Sequence, residues 1–146
     1  MADLREVQSV IDRGGHRAVV SAVRADGSVH SSVVAAGLTR HPVTGEPAAA
    51  FTSAAGALKL RLLRERPQAA LVFQAGPHWA SVAGAADLIG YDDPYEGVDT
   101  AHLRALLREV FSAAGGEHED WEAYGRAMEE QRRSAVLIAP ERVFAM

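Results

Sequence analysis

Cysteine is absent from all 146 residues, which excludes disulfides, thiolate metal ligands and cysteine nucleophiles and leaves stability to the core. Lysine is nearly absent: Lys59 is the only one, and arginine supplies every other fixed cation. No apolar run reaches membrane-spanning length, and the opening Met-Ala-Asp-Leu-Arg-Glu-Val is charged from its start, unlike a secretion signal. The expectation is a cytoplasmic protein without a membrane partner. A net charge of −4 offers no global attraction to nucleic acid, so an anion site must be a local arrangement of donors. No Gly-x-Ser-x-Gly elbow, Gly-x-Gly-x-x-Gly fingerprint or Walker loop occurs. His16, His30, His41, His78, His102 and His118 are scattered without metal-ligand spacing, so no metal site is expected. The carboxylate pairs Asp92-Asp93, Glu119-Asp120 and Glu129-Glu130 fall at turn or cap positions rather than across a cleft, so no catalytic acid or base is assigned.

What is present suits a single domain over residues 1–146: 48% apolar and 23% charged residues, ordinary for a globular chain. Leu4, Val7, Val10 and Ile11 recur at helical spacing before Gly14-Gly15, predicting a helix from about Ala2 to Arg13. His16 to Arg24 reads as a strand, Asp26-Gly27 as a hairpin turn and Ser28 to about Leu38 as the return strand. A turn over Arg40 to Pro47 leads to a strand over Ala48 to Thr52, predicting an up-down-up meander. Two further strands, Ala69 to Gln74 and Trp79 to Ile89, flank Ala75-Gly76-Pro77-His78. Asp99 or Thr100 caps a helix carrying Leu103, Leu106, Leu107, Val110 and Phe111, and Asp120 starts another with Trp121, Tyr124 and Met128 on one side. Ser134 to Ala139 reads as the last strand. Six or so strands joined mainly by hairpins exclude a doubly wound parallel sheet and predict a small antiparallel barrel with helical additions.

Lys59 sits where a strand gives way to a helix. Ala49 to Pro67 runs through a short strand, the hydroxyl pair Thr52-Ser53, small residues, a cationic helix and a proline stop. A helix N-terminus beside hydroxyls and a lysine suits an anion such as a phosphorylated cofactor, while the same pattern also describes a solvated surface helix. His30 and Ser32 alternate onto one strand face, where they present a donor and an acceptor either to a heteroaromatic ring or to solvent. Trp79 reads equally as a packing anchor or as cover for a planar ring, and Trp121 as a structural anchor.

The segment Gly116 to Met128, followed by Arg132-Arg133 and the ending Glu141-Arg142-Val143-Phe144-Ala145-Met146, resembles the C-terminal signature of actinobacterial flavin/deazaflavin oxidoreductases of the split β-barrel type, the pyridoxamine 5′-phosphate oxidase-like superfamily. The resemblance extends back through His78 to Gly84 and the Lys59 helix to the Asp26-Gly27 hairpin. It implies a mainly β, antiparallel, homodimeric split barrel that binds coenzyme F-420, or alternatively FMN, in a groove between subunits. Thr52, Ser53 and Lys59 would then hold the phosphate, His30 and Ser32 would lie near the ring, and Trp79 would line the groove. The implied activity is hydride transfer from reduced F-420 to a small conjugated or heteroaromatic substrate. Arg61 and Arg64 are candidates for a basic channel that would receive the F-420 tail. Ala57 and Leu62 depart from the family, whose members commonly carry an arginine and an asparagine there, and this loses a bidentate phosphate contact. Loss of catalysis on the same barrel would leave a protein that binds a planar metabolite or tetrapyrrole.

Overall fold

The computed structural model describes residues 2–146. These form eight strands and four helices: α1 (Leu4–Gly14), β1 (Arg17–Val23), β2 (Val29–Ala35), β3 (Gly37–Arg40), β4 (Pro47–Ser53), α2 (Leu58–Glu65), β5 (Gln68–Ala75), β6 (His78–Gly90), α3 (Thr100–Ala113), α4 (Trp121–Glu130), β7 (Ser134–Ile138) and β8 (Arg142–Ala145). Local chemistry accounts for the boundaries. Asp3 and Glu6 form a capping box on α1, Asp99 caps α3 through the His102 N–H at 2.8 Å, and Asp120 caps α4. At the first hairpin Asp26 accepts from the Ser28 N–H at 2.9 Å, and Gly27 takes φ +86°, a conformation that favours glycine.

All pairings are antiparallel, in the order β2-β1-β5-β6-β7-β4-β3, with β8 on β6. The two ends of this path, β2 and β3, are consecutive pieces of one chain segment, so the sheet closes on itself through Ala36. The expected meander is corrected here: the return strand breaks at Ala36, its first part pairs with β1 and its second with β4, and β4 pairs onward with β7. The break is imposed by packing. Ala36 is fully buried, its N–H donates to the His16 carbonyl at 2.9 Å, and its carbonyl accepts from His16 Nδ1 at 3.1 Å, which puts the ring proton on Nδ1. The strand count also rises, because β8 follows the strand read as last and pairs Val143 with Val82.

Two cores result. The barrel interior takes Val20, Phe51, Leu71, Phe73, Val82, Val136 and Ile138, together with Val7, Val10 and Ile11 of α1 and Leu60, Leu62 and Leu63 of α2. A second core lies between the barrel wall and the α3-α4 pair, where Leu103, Leu106, Leu107 and Val110 meet Ala48, Ala50, Ala135, Leu137, Tyr124 and Met128. β4 and β7 alternate between these cores, which explains why all of Ser134–Ile138 is buried and reads as an unbroken apolar run. Phe111, Trp121 and Tyr124 pack edge-on or tilted, with ring centroids 4.8–6.2 Å apart.

A polar tie joins α2 to the start of β7. Arg64 donates to Asp93 through Nε at 2.7 Å and Nη2 at 2.8 Å, and the Ser134 hydroxyl donates to the same carboxylate. The Arg64 guanidinium, then the Ser134 hydroxyl, hold the Asp93 carboxyl below its ordinary range. Its stabilising effect is therefore present above the unfolded carboxylate pKa and is lost as pH falls through the lower folded value. Asp93→Asn should cost about 1–2 kcal/mol in urea unfolding at neutral pH, Arg64 being partly solvated, and should flatten the acid limb of the stability profile. An unaltered acid limb would show that the pair contributes nothing. Gly37 lets β3 approach α3 at the Ala113 carbonyl, where an added Cβ would collide with backbone. Gly37→Ala should lower stability by about 1–3 kcal/mol, read as a lower urea midpoint with an unchanged slope.

Candidate functional site

β2 pairs with β1 on one side, and its other edge is free among the described residues. Facing that edge is a cleft of about 370 Å³, bounded by Val33, Val34 and Ala35 of β2, the β4 end at Thr52-Ser53, Lys59 of α2, and the α3-α4 wall of Val110, Phe111, Ala114, Tyr124 and Met128. Arg133, immediately before β7, completes the lining. The volume falls in the small-molecule range.

The cleft is polar at one end and apolar along its walls. Three of the sequence candidates, Thr52, Ser53 and Lys59, come together at the polar end. Successive β4 residues face opposite sides, so Thr52 follows Ala50 toward α3 and Ser53 follows Phe51 toward the barrel interior, where it is 5% exposed. The β4-α2 loop turns at Gly56, φ +85°, and is pinned by the Ala55 N–H to the Gln131 carbonyl at 3.0 Å. Ala57 occupies the α2 N-cap without a side-chain bond, so the first-turn N–H groups keep no side-chain partner.

Arg133 is the member that the composition-based reading passed over. Its Nη1 donates to Thr52 Oγ1 at 3.4 Å and lies 3.5 Å from the Thr52 carbonyl, while its Nε donates to Gln131 Oε1 at 2.8 Å. Arg132 beside it has φ +46° and turns the other way, donating to Asp92 at 2.6 Å. The left-handed residue therefore separates two adjacent arginines, one neutralised by a carboxylate and one facing the cleft. Neither Lys59 nor Arg133 has a carboxylate within ion-pair distance among the described residues. The doublet Arg132-Arg133 before an apolar strand was the available signal, but the sequence does not say which arginine points inward.

Other candidates lie elsewhere. His30 and Ser32 are on β2 and share the face of their β1 partners Ala22 and Val20, outside the cleft lining; the Ser32 hydroxyl is buried with no hydrogen-bond partner. Trp79 is three strands away on the outer face of β6. Leu62 is 5% exposed within the barrel core, so that position does not face the cleft in this chain. Arg64 is committed to Asp93 and adds no free charge. Tyr124 donates to the Leu107 carbonyl at 3.0 Å, and burial pushes its phenol up to about 12, so it stays neutral. Among the described residues, Lys59, Tyr124 and Arg133 are the titratable side chains that line the cleft, so two cations stand at one end of an otherwise apolar slot.

No protein-family profile and no curated protein matches the sequence. Solved structures do match its fold. A pyridoxamine 5′-phosphate oxidase-related, FMN-binding protein from Nostoc punctiforme superposes with TM-score 0.65 at 14% identity, over 99% of this chain and 84% of that one. An F-420 reductase gives TM-score 0.62 at 15% identity over 94% of both chains. A heme-binding protein from Mycobacterium smegmatis gives TM-score 0.64 at 18% identity, this chain spanning 55% of its length. No helix among the described residues is long and apolar enough to cross a membrane. With its antiparallel path closed through Ala36, the chain has the split-barrel fold of the pyridoxamine 5′-phosphate oxidase-like, FMN-binding proteins.

Proposed function

We propose that the cleft binds a phosphorylated flavin-type cofactor and that the protein is an F-420-dependent oxidoreductase, reducing a small conjugated or heteroaromatic substrate. The observation that carries this reading is the pairing of Lys59 and Arg133, both free of carboxylates, with Thr52 and Ser53 at one end of an otherwise apolar cleft. A phosphate there would meet two cations, the Thr52 hydroxyl and the uncapped N-terminus of α2. Arg133, arriving from β7, takes the place of the guanidinium missing at Ala57. The donor set thus fits a phosphate, and the slot between the β2 edge and the Phe111-Tyr124 wall fits a planar ring.

When bound, such a cofactor supplies the hydride chemistry, and the chain's own contribution is position and exclusion of water. Val33, Val34, Ala35, Val110, Phe111 and Met128 offer a dry contact surface, and free backbone groups on the β2 edge can bond the ring's polar rim. The orphaned Ser32 hydroxyl and His30 lie on the same strand, on the face of Val20 and Ala22. An F-420 reductase among the structures of this fold supports placing the deazaflavin first, with FMN as the alternative. The scarcity of titratable groups in the cleft also suits a non-catalytic holder of a planar metabolite or tetrapyrrole, and a heme-binding protein shares the fold.

A second copy of the chain belongs to the same proposal. The outer face of β2-β1-β5-β6-β8 exposes an uncharged row, Val33, Val19, Val72, Ser81 and Phe144, with Trp79 beside it, and its large apolar members are 37% to 66% exposed. Ser21, Ser31, Ala70 and Ala83 keep the neighbouring row small until it reaches Arg142 of β8. An apolar row of this kind, with Arg17 and Arg142 at its margins, suits an isologous dimer. Val33 belongs both to this face and to the cleft, so the second copy would close the cleft's open side.

Fluorescence titration of cofactor-free protein should show micromolar F-420 binding tighter than FMN binding. Lys59→Ala and Arg133→Gln should each weaken it about tenfold, and Lys59→Arg should weaken it less. Tighter FMN binding reassigns the cofactor, and binding of neither leaves the non-catalytic reading. Light scattering should give two chains per particle, and Val19→Asp should give a folded monomer with weakened cofactor binding; a monomeric parent protein removes the dimer.

A further inference from the structure

Outside the cleft, the α3-α4 pair carries a second cationic feature that the cofactor reading does not use. Arg104 and Arg108 lie one turn apart on α3, and Arg126 of α4 faces them across a groove of about 380 Å³ that also contains Trp121, Glu122 and Glu129. Three guanidiniums against two carboxylates leave the groove one net positive charge, and the pairing is loose. Arg104 reaches Glu129 only at 3.9 Å, and neither Arg108 nor Arg126 has an ion-pair partner among the described residues. The carboxylate of Asp120 near Arg126 is already engaged in capping the Glu122 and Ala123 N–H groups, both at 3.1 Å.

Arg108 is held against Trp121. Its guanidinium carbon sits 5.7 Å from the Trp121 ring centroid, and its Nε is buried with no hydrogen-bond partner. An orphaned guanidinium donor is costly in a closed surface and is relieved by an acceptor. Trp121 is fixed in turn against Phe111 and Tyr124, so the stacked arginine rests on a stiff base. Gly125 leaves the groove floor open, since nothing lies within 4 Å of where its Cβ would be.

We infer that this groove binds a compact polycarboxylate, its carboxylates spanned by Arg104, Arg108 and Arg126. Arginines one helical turn apart, with Cβ atoms about 6 Å from each other, match several carboxylates on one small molecule better than a single phosphate.

Calorimetric titration of the intact chain with citrate should show saturable binding below about a millimolar, weakened about tenfold by Arg108→Gln and by Arg126→Gln and unchanged by Lys59→Ala. Inorganic phosphate at equal ionic strength should bind at least about tenfold more weakly. Circular dichroism of both arginine variants should match the parent, because the changes lie on the outer faces of the helices; should either misfold, Arg126→Lys, which keeps the charge and loses the fork, serves instead and should also weaken binding. Absence of saturation, equal response to phosphate, insensitivity to the arginine variants or loss of binding in Lys59→Ala each overturn the assignment.

Discussion

The architecture depends on one buried corner. Ala36 is fully buried and both its backbone groups are taken by His16, and there the segment from Val29 to Arg40 breaks into two strands. The corner sends β2 to one end of the sheet path and β3 to the other, closing the barrel while leaving the outer edge of β2 unpaired. The C-terminus of α3 bears on the same place. The Ala113 carbonyl approaches Gly37, and Gly115 lies against the His16 ring. The gap between the free edge and the α3-α4 wall is the cleft, so its existence follows from the corner and its width from the helices.

Charge is sorted by the same frame. Of the arginines nearest the cleft, Arg64 and Arg132 are drawn to Asp93 and Asp92, adjacent residues of the β6-α3 connection. That leaves Lys59 and Arg133 with unspent charge at a place lined by hydroxyls. Two neutralised cations brace α2 and β7 as the two free ones face the cleft, so the aspartate pair acts on the site indirectly, by holding its elements in position. A carboxylate pair that reads as ordinary turn chemistry thus ties the helix carrying Lys59 to the β6-α3 connection.

Much of this was legible beforehand for a definite reason. Caps, the Asp-Gly turn and the spacing of Leu103, Leu106, Leu107 and Val110 are local signals, and the structure places those elements within a residue or two of the reading. The antiparallel barrel was readable too, because short connections forbid crossovers. The corner at Ala36 was not, since nothing in Val34-Ala35-Ala36-Gly37 distinguishes a bend from a continuous strand until His16 and α3 are in place. β8 escaped the pattern reading because four residues with one buried side chain carry too little alternation.

Residue type and order by themselves determined most of the elements, the lack of thiols, and the approach of Thr52, Ser53 and Lys59, which short loops keep within reach of one another. Only the tertiary structure decided that Arg133 joins them, that Arg132 and Arg64 do not, and that Leu62 and Trp79 point away. Those outcomes depend on contacts across 81 residues between Arg133 and Thr52 and 29 between Arg64 and Asp93. A side chain's local pattern fixes which face it can occupy, but its partner is chosen by whichever distant element the closed barrel brings against that face.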